Sequence, residues 1–187
     1  MKRHSTRTLL FSALILAGIT GTAMSDDDRG LISKWFSQTA PGVDPVTTDL
    51  YQEECGGCHI PYQPGLLPAL SWEPIMNGLD DHFGESAELM QDDVNTIRNF
   101  LLNNAAGRVN FSLSNKLMAA QRDKPIPLRI TEMHYFRHEH SDLGPAQVEE
   151  NPEVKSLSQC DRCHQGARQG IYDEDDVVIP GFGRWED

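Results

Sequence analysis

Cys55-Gly56-Gly57-Cys58-His59 and Cys160-Asp161-Arg162-Cys163-His164 are the two stretches that decide how this sequence is read. Both fit C-x-x-C-H, the pattern of covalent c-type haem attachment. The spacing has a chemical reason. Two thiols add to the two haem vinyl groups, the short link keeps them on one edge of the ring, and the adjacent histidine falls under the iron as proximal ligand. These two motifs use all four cysteines of the chain. Other uses of paired cysteines compete with this reading. A four-cysteine zinc site leaves the histidine after each pair without a purpose. A redox-active dithiol belongs in a strand–helix context beside a parallel sheet, of which the sequence shows no sign. A disulfide within either pair closes a loop too small to gain much chain entropy. The expectation is two covalent haems, bound through Cys55, Cys58, Cys160 and Cys163, with His59 and His164 on the irons.

The N-terminus reads as an export signal. Lys2, Arg3 and Arg7 precede a mostly apolar run over residues 9–19, and small or near-small residues follow at positions 21–25. The run is shorter than the roughly 18 residues of a membrane-spanning helix. No twin arginine is present, and no cysteine lies near the cut to carry a lipid. Residues 1–25 are therefore expected to be removed, leaving a periplasmic protein. The 187-residue chain carries a net charge of −12, and loss of three positive charges and no negative ones takes it to −15. Such an acidic chain repels phosphate, which argues against nucleic-acid binding. With 39% hydrophobic and 24% charged residues, the composition is that of a soluble globular protein. No phosphate-binding glycine loop and no Ser-His-Asp arrangement stands out.

Periodicity and punctuation predict a mainly helical protein with extensive ordered loops. Leu31, Ile32, Trp35 and Phe36 have helical spacing, and a helix near Thr48 runs into Cys55. Pro61, Pro64, Gly65 and Pro68 forbid a long helix over 61–69. Ser71 is read as the N-cap of a helix over 72–83, with Pro74 in its first turn and Gly84 at its end. Further helices are expected over 87–104, 112–121 and 131–143, and from Asn151-Pro152 into the second motif. The tail is expected to be mostly irregular.

Outside the motifs and His4, the histidines are His82, His134, His138 and His140. His82 falls on the apolar stripe of the 72–83 helix, in register with Ile75 and Leu79, where it could reach the first iron. Met76 shares that stripe and is its rival as a sulfur ligand, although a methionine there more often packs. In the second half, Met133, Phe136, His140 and Leu143 share one helical face. That places His140 ahead of His138 as the second distal ligand, with His138 kept as the alternative. His134 and His138, four residues apart, share another face but lack a third ligand for a metal of their own.

The chain resembles the bacterial dihaem cytochrome c family. The likeness rests on C-G-G-C-H followed by Tyr62-Gln63-Pro64-Gly65-Leu66-Leu67-Pro68, on Trp72 and Asp81-His82-Phe83-Gly84, and on Arg129-Ile130-Thr131-Glu132. It continues through the His140 segment, Val154-Lys155-Ser156, the second motif, Gly170 and Asp173-Glu174-Asp175. The resemblance implies an N-terminal lobe similar to ordinary cytochrome c (residues 26–110) and a smaller C-terminal lobe (111–187). It implies two haems, each held by two histidines, with His82 and a histidine of the 136–140 stretch as distal ligands. It also implies an electron carrier working with a membrane b-type cytochrome or a small oxygen-binding haem protein. Having both His138 and His140, this chain leaves that choice open.

Filled coordination spheres favour electron transfer over catalysis, and the acidic surface suits a redox partner with a basic docking face. The competing expectations are a peroxidase-like enzyme and a gas-binding protein. Each would need one iron with a missing or displaceable ligand.

Overall fold

Helix α1 spans Asp49–Cys55, and its start is written locally. Thr48 takes the extended N-cap conformation and Asp49 places a negative charge in the first turn, where it complements the helix dipole. The helix hands its last residue, Cys55, to the first motif. Tyr51, buried on its inner face, donates from its hydroxyl to the Tyr62 carbonyl at 2.9 Å. The proline-rich stretch that follows makes a single 3-10 turn, Pro64–Leu66. The structure is a computed structural model and describes residues 40–185. The export signal and the helix expected around Leu31–Phe36 lie outside the described residues.

Helix α2 is Ala69–Asn77, α3 is Gln91–Asn103 and α4 is Ser112–Ala120. Pro68, not Ser71, stands at the N-cap of α2, so Pro74 lies inside the helix and not in its first turn. Ser71 is fully buried and donates to the Pro127 carbonyl at 2.7 Å, a tertiary use of a residue read as a cap. The indole of Trp72 donates to the Pro64 carbonyl at 2.8 Å, pinning α2 to the 3-10 turn. In α3, Val94, Ile97 and Leu101 are buried at i, i+3 and i+7, an amphipathic stripe packed on α2. These side chains join Val43, Tyr51, Leu66, Leu67, Ile75, Met76, Leu117, Ile130 and Met133 in one hydrophobic core.

The helix expected over 131–143 is shorter, α5 at His134–Glu139, behind a 3-10 turn at Ile130–Glu132. Its first N–H groups need acceptors. Gln121, buried at the end of α4, accepts from the His134 N–H at 2.9 Å and so sets where the helix begins. At the other end, the Phe136 carbonyl receives both the His140 backbone N–H and its Nδ1. No α-helix forms after Asn151-Pro152. The chain runs in hydrogen-bonded turns to a 3-10 turn, Cys160–Arg162, that carries the second motif. The tail is more ordered than expected. Strands β1 (Val178–Ile179) and β2 (Gly183–Arg184) pair antiparallel, Val178 opposite Arg184, about a turn in which Gly181 has φ +77°. The Val178 N–H donates to the Cys163 carbonyl at 3.0 Å, so this hairpin braces the second motif.

The described residues belong to one compact unit. Backbone bonds close it early: Gly42 N–H donates to the Gly170 carbonyl at 2.8 Å, and Leu113 N–H to the Gly42 carbonyl at 2.9 Å. Gly170 has φ +74°, and a Cβ there would run into the Val43 carbonyl. Gly170→Ala should therefore lower stability by about 2–4 kcal/mol, combining left-handed strain with a backbone clash, read as a fall in the thermal midpoint. Past α5, the helical pieces among the described residues are three-residue turns and the strands are two residues long. Replacing Cys55, Cys58, Cys160 and Cys163 with alanine should yield a chain without cooperative melting by circular dichroism. A sharp native-like transition in that variant would show that the polypeptide core suffices.

Candidate haem sites

The end of α1 and the Gly56-Gly57 turn carry His59 into a half-buried position. Its Nδ1 donates to the neighbouring Ile60 carbonyl at 2.6 Å, and Tyr62 stacks on the ring at 4.3 Å with 13° between planes. A bond of this kind fixes the tautomer and leaves Nε2 as the free lone pair. Facing His59 is His82, with ring centroids 6.4 Å apart.

His82 reaches that position by a different route from the one its spacing suggested. Helix α2 stops at Asn77, Gly78 follows, and a 3-10 turn at Leu79–Asp81 delivers His82 onto a tight turn. There its backbone N–H donates to the Glu85 carbonyl at 2.7 Å, and the Asp81 carboxylate accepts from the Gly84 N–H at 2.9 Å. Phe83, at φ +59°, packs edge-on against the His82 ring and carries the Arg129 guanidinium over its own face at 4.0 Å. Met76, the rival on the same stripe, is buried in the hydrophobic core.

At the second motif, His164 faces His140 with centroids 6.0 Å apart. His140 Nδ1 donates to the Phe136 carbonyl at 2.8 Å, and Phe136 stacks on its ring at 3.9 Å and 9°. Tyr172 packs edge-on against His164 at 5.4 Å. A cavity of about 1140 Å³ opens here, walled by Leu66, Leu117, Ile130, Val148, Val154 and Ile179 and reached by Cys160, Cys163 and both imidazoles. Pockets for small organic ligands run to roughly 1,000 Å³, so a macrocycle fits. His138 also borders the cavity but is exposed, as is His134, and it is the His140 ring that faces His164.

Both ring pairs have the spacing an iron between two imidazoles requires. A metal–imidazole bond is about 2 Å and the ring centre lies about 1 Å behind the nitrogen, so two centroids should stand about 6 Å apart. Burial holds His164 down to about 4, helped by His140, and likewise lowers His82 and His140. Each ring is thus neutral at physiological pH, the form that binds a metal. The buried Nδ1 of His164 has no hydrogen-bond partner in the protein. Burial pushes the Cys55 thiol up to about 11 and Cys160 to about 12, the opposite of a reactive dithiol. None of the four cysteines is in a disulfide, and no described group of three or more His, Cys, Asp or Glu could hold a metal ion such as zinc.

Two aromatic neighbours of the proximal histidines went unread in the sequence as parts of the site. Tyr62 carried a local signal, three residues after His59. Tyr172 carried none, because only the fold brings it to His164. Burial raises both phenols, which stay protonated.

Residues 51–172 match the family described as dihaem cytochrome c. The X-ray structure of a dihaem cytochrome c from Shewanella baltica is similar at 39% identity and a TM-score of 0.60, over 74% of this chain and 97% of that one. A dihaem cytochrome c from Rhodobacter sphaeroides is similar at 34% identity and a TM-score of 0.59, over 70% of this chain and all (100%) of that one. No curated protein matches the chain. The chain belongs to the dihaem cytochrome c family, a mainly helical, two-lobed cytochrome that carries two c-type haems.

Proposed function

We propose that this chain is an exported electron carrier whose two irons are each closed by a pair of imidazoles. Cys55 and Cys58 hold the first haem, with His59 and His82 on its iron. Cys160 and Cys163 hold the second, with His164 and His140. The observation that carries the reading is the facing of a motif histidine by a second histidine at 6.4 Å in one site and 6.0 Å in the other. Bound haem supplies reversible one-electron chemistry, and two nitrogen ligands set it at a lower potential than a thioether would. The protein's own contribution is to hold His82, His140 and His164 in the neutral form by burial, to orient His59 and His140 through their Nδ1 bonds, and to wall the second site with apolar side chains. With both faces filled, neither site offers a position for substrate, which separates a carrier from a peroxidase or a gas binder.

The donor or acceptor is proposed to be a membrane b-type cytochrome or a small haem protein with a basic face. Support comes from the acidic balance of the chain, −12 over the 187 residues and −15 without the three positive charges of residues 1–25. Electrostatic steering of that kind weakens with salt. Reduction by a basic redox partner should therefore slow markedly between low ionic strength and about 0.15 M, a Debye length of about 8 Å.

Oxidised and reduced spectra of the purified holoprotein, with and without carbon monoxide, test the ligation. The expected result is two low-spin haems, no sulfur–iron charge-transfer band and no response to carbon monoxide. A high-spin component or a carbon monoxide shift in the unmodified protein would mean an open iron and would remove the simple carrier. His82→Ala and His140→Ala should each open one of the two haems to carbon monoxide. His138→Ala should leave the spectrum unchanged. If His138→Ala opens a haem and His140→Ala does not, the second distal ligand is His138.

A further inference from the structure

The two motifs lie about a hundred residues apart, yet side chains of one repeatedly end on the other. Tyr62 stacks its ring on His59 and sends its hydroxyl to the Ser158 carbonyl at 2.7 Å, two residues before Cys160. Tyr172 packs its ring on His164 and sends its hydroxyl to Gln63 Oε1 at 2.7 Å, beside Tyr62. Gln63 is 1% exposed, and its Nε2 donates to the Ala167 carbonyl at 2.6 Å, three residues past His164. The arrangement is reciprocal. Each tyrosine touches the proximal imidazole of its own motif and hydrogen-bonds the segment carrying the other. A separate tie, Gln159 Nε2 to the Cys58 carbonyl at 3.2 Å, also joins the motifs but ends on neither imidazole.

Building on the two-centre carrier proposed above, we propose that Tyr62, Gln63 and Tyr172 form a bridge that couples the redox equilibria of the two haem centres. Groups outside a metal's own ligands tune it through the ligand they touch. The ties are two, Tyr62 to Ser158 and Tyr172 through buried Gln63 to Ala167, and hydrogen bonds in such partly buried surroundings act more strongly than in water because the local dielectric is lower. When one electron passes between centres, the reduced centre becomes oxidised and the oxidised one reduced. No bond forms or breaks and no proton moves, since both phenols remain donors throughout. Tyr62 and Tyr172 are positioning residues here. Coupling of this kind is reciprocal by linkage, so reduction of either centre shifts the other by the same factor, and each tyrosine, touching one centre and bonding the segment of the other, bears on both.

The test is an EPR-monitored redox titration of the full-length holoprotein and of Tyr62→Phe, Tyr172→Phe, the double variant and Gln159→Ala. Each phenylalanine keeps the ring contact and removes only the hydroxyl. The two low-spin signals are assigned by which one His82→Ala or His140→Ala abolishes. Each single tyrosine variant should shift the midpoints of both centres by roughly two- to fivefold in the reduction equilibrium, about 20–40 mV for a one-electron couple. In the double variant the shifts should be clearly non-additive. Gln159→Ala should lower the thermal midpoint and leave both potentials where they were. Tyrosine variants that move only the centre they pack on, move neither, or add independently would overturn the bridge. So would a Gln159→Ala variant that shifts both centres, because tethering alone would then account for the coupling. Two low-spin centres in every variant with unshifted potentials would sink the bridge and leave the carrier intact. A carbon monoxide-reactive iron in the unmodified protein would instead remove the carrier itself.

Discussion

Two imidazoles held opposite one another, their ring centroids about 6 Å apart, are the constraint on which the rest of this structure depends. One member of each pair costs the fold little, because covalent neighbourhood puts His59 beside Cys58 and His164 beside Cys163. The other must be delivered by the chain. At the first site a tight turn does so, closed by the Asp81 carboxylate on the Gly84 N–H and by the pairing of His82 with Glu85. At the second site it is the last turn of a short helix, with Phe136 supplying both the stacking face and the carbonyl that holds His140.

The same demand explains why the two halves differ in texture. Helices α1 to α4 build a hydrophobic core around Trp72, Ile97, Leu101 and Leu117, and this core anchors the first site on regular structure. Beyond α5 the chain is nearly all turn, and its backbone is satisfied by short-range hydrogen bonds and by ties back to the first half. Gly42 with Gly170, Tyr62 with Ser158, and Gln63 with Ala167 and Tyr172 are such ties. A segment this poor in helix and strand has little enthalpy of its own to offset the entropy of ordering it. Its ties to the first half supply order that its own short elements do not.

Legibility followed the range of the interactions. Helix α4 and the end of α1 were readable because residue spacing and helix-breaking residues act over one or two turns. The 72–83 helix misled because Trp72, Ile75, Met76 and Leu79 keep helical spacing although the helix itself ends at Asn77. Ser71 looked like a cap and is instead a buried donor to Pro127, a partner 56 residues away. In the 131–143 stretch the start moved to His134 because Gln121, on another element, accepts that residue's N–H.

By itself, the sequence determined the chemistry. Two C-x-x-C-H motifs point to two c-type haems and offer their thiols and adjacent histidines for them, since covalent spacing is a property of the chain and survives any packing. It also marked His82 and His140 as candidates through the apolar residues around them. Only the tertiary structure decided which histidine faces which. His140 is turned inward to His164 while His138, two residues away, stays exposed, and Tyr172 is brought to His164 and Gln63 together. Those outcomes depend on side chains far apart in sequence meeting in one place, and no local periodicity encodes such a meeting.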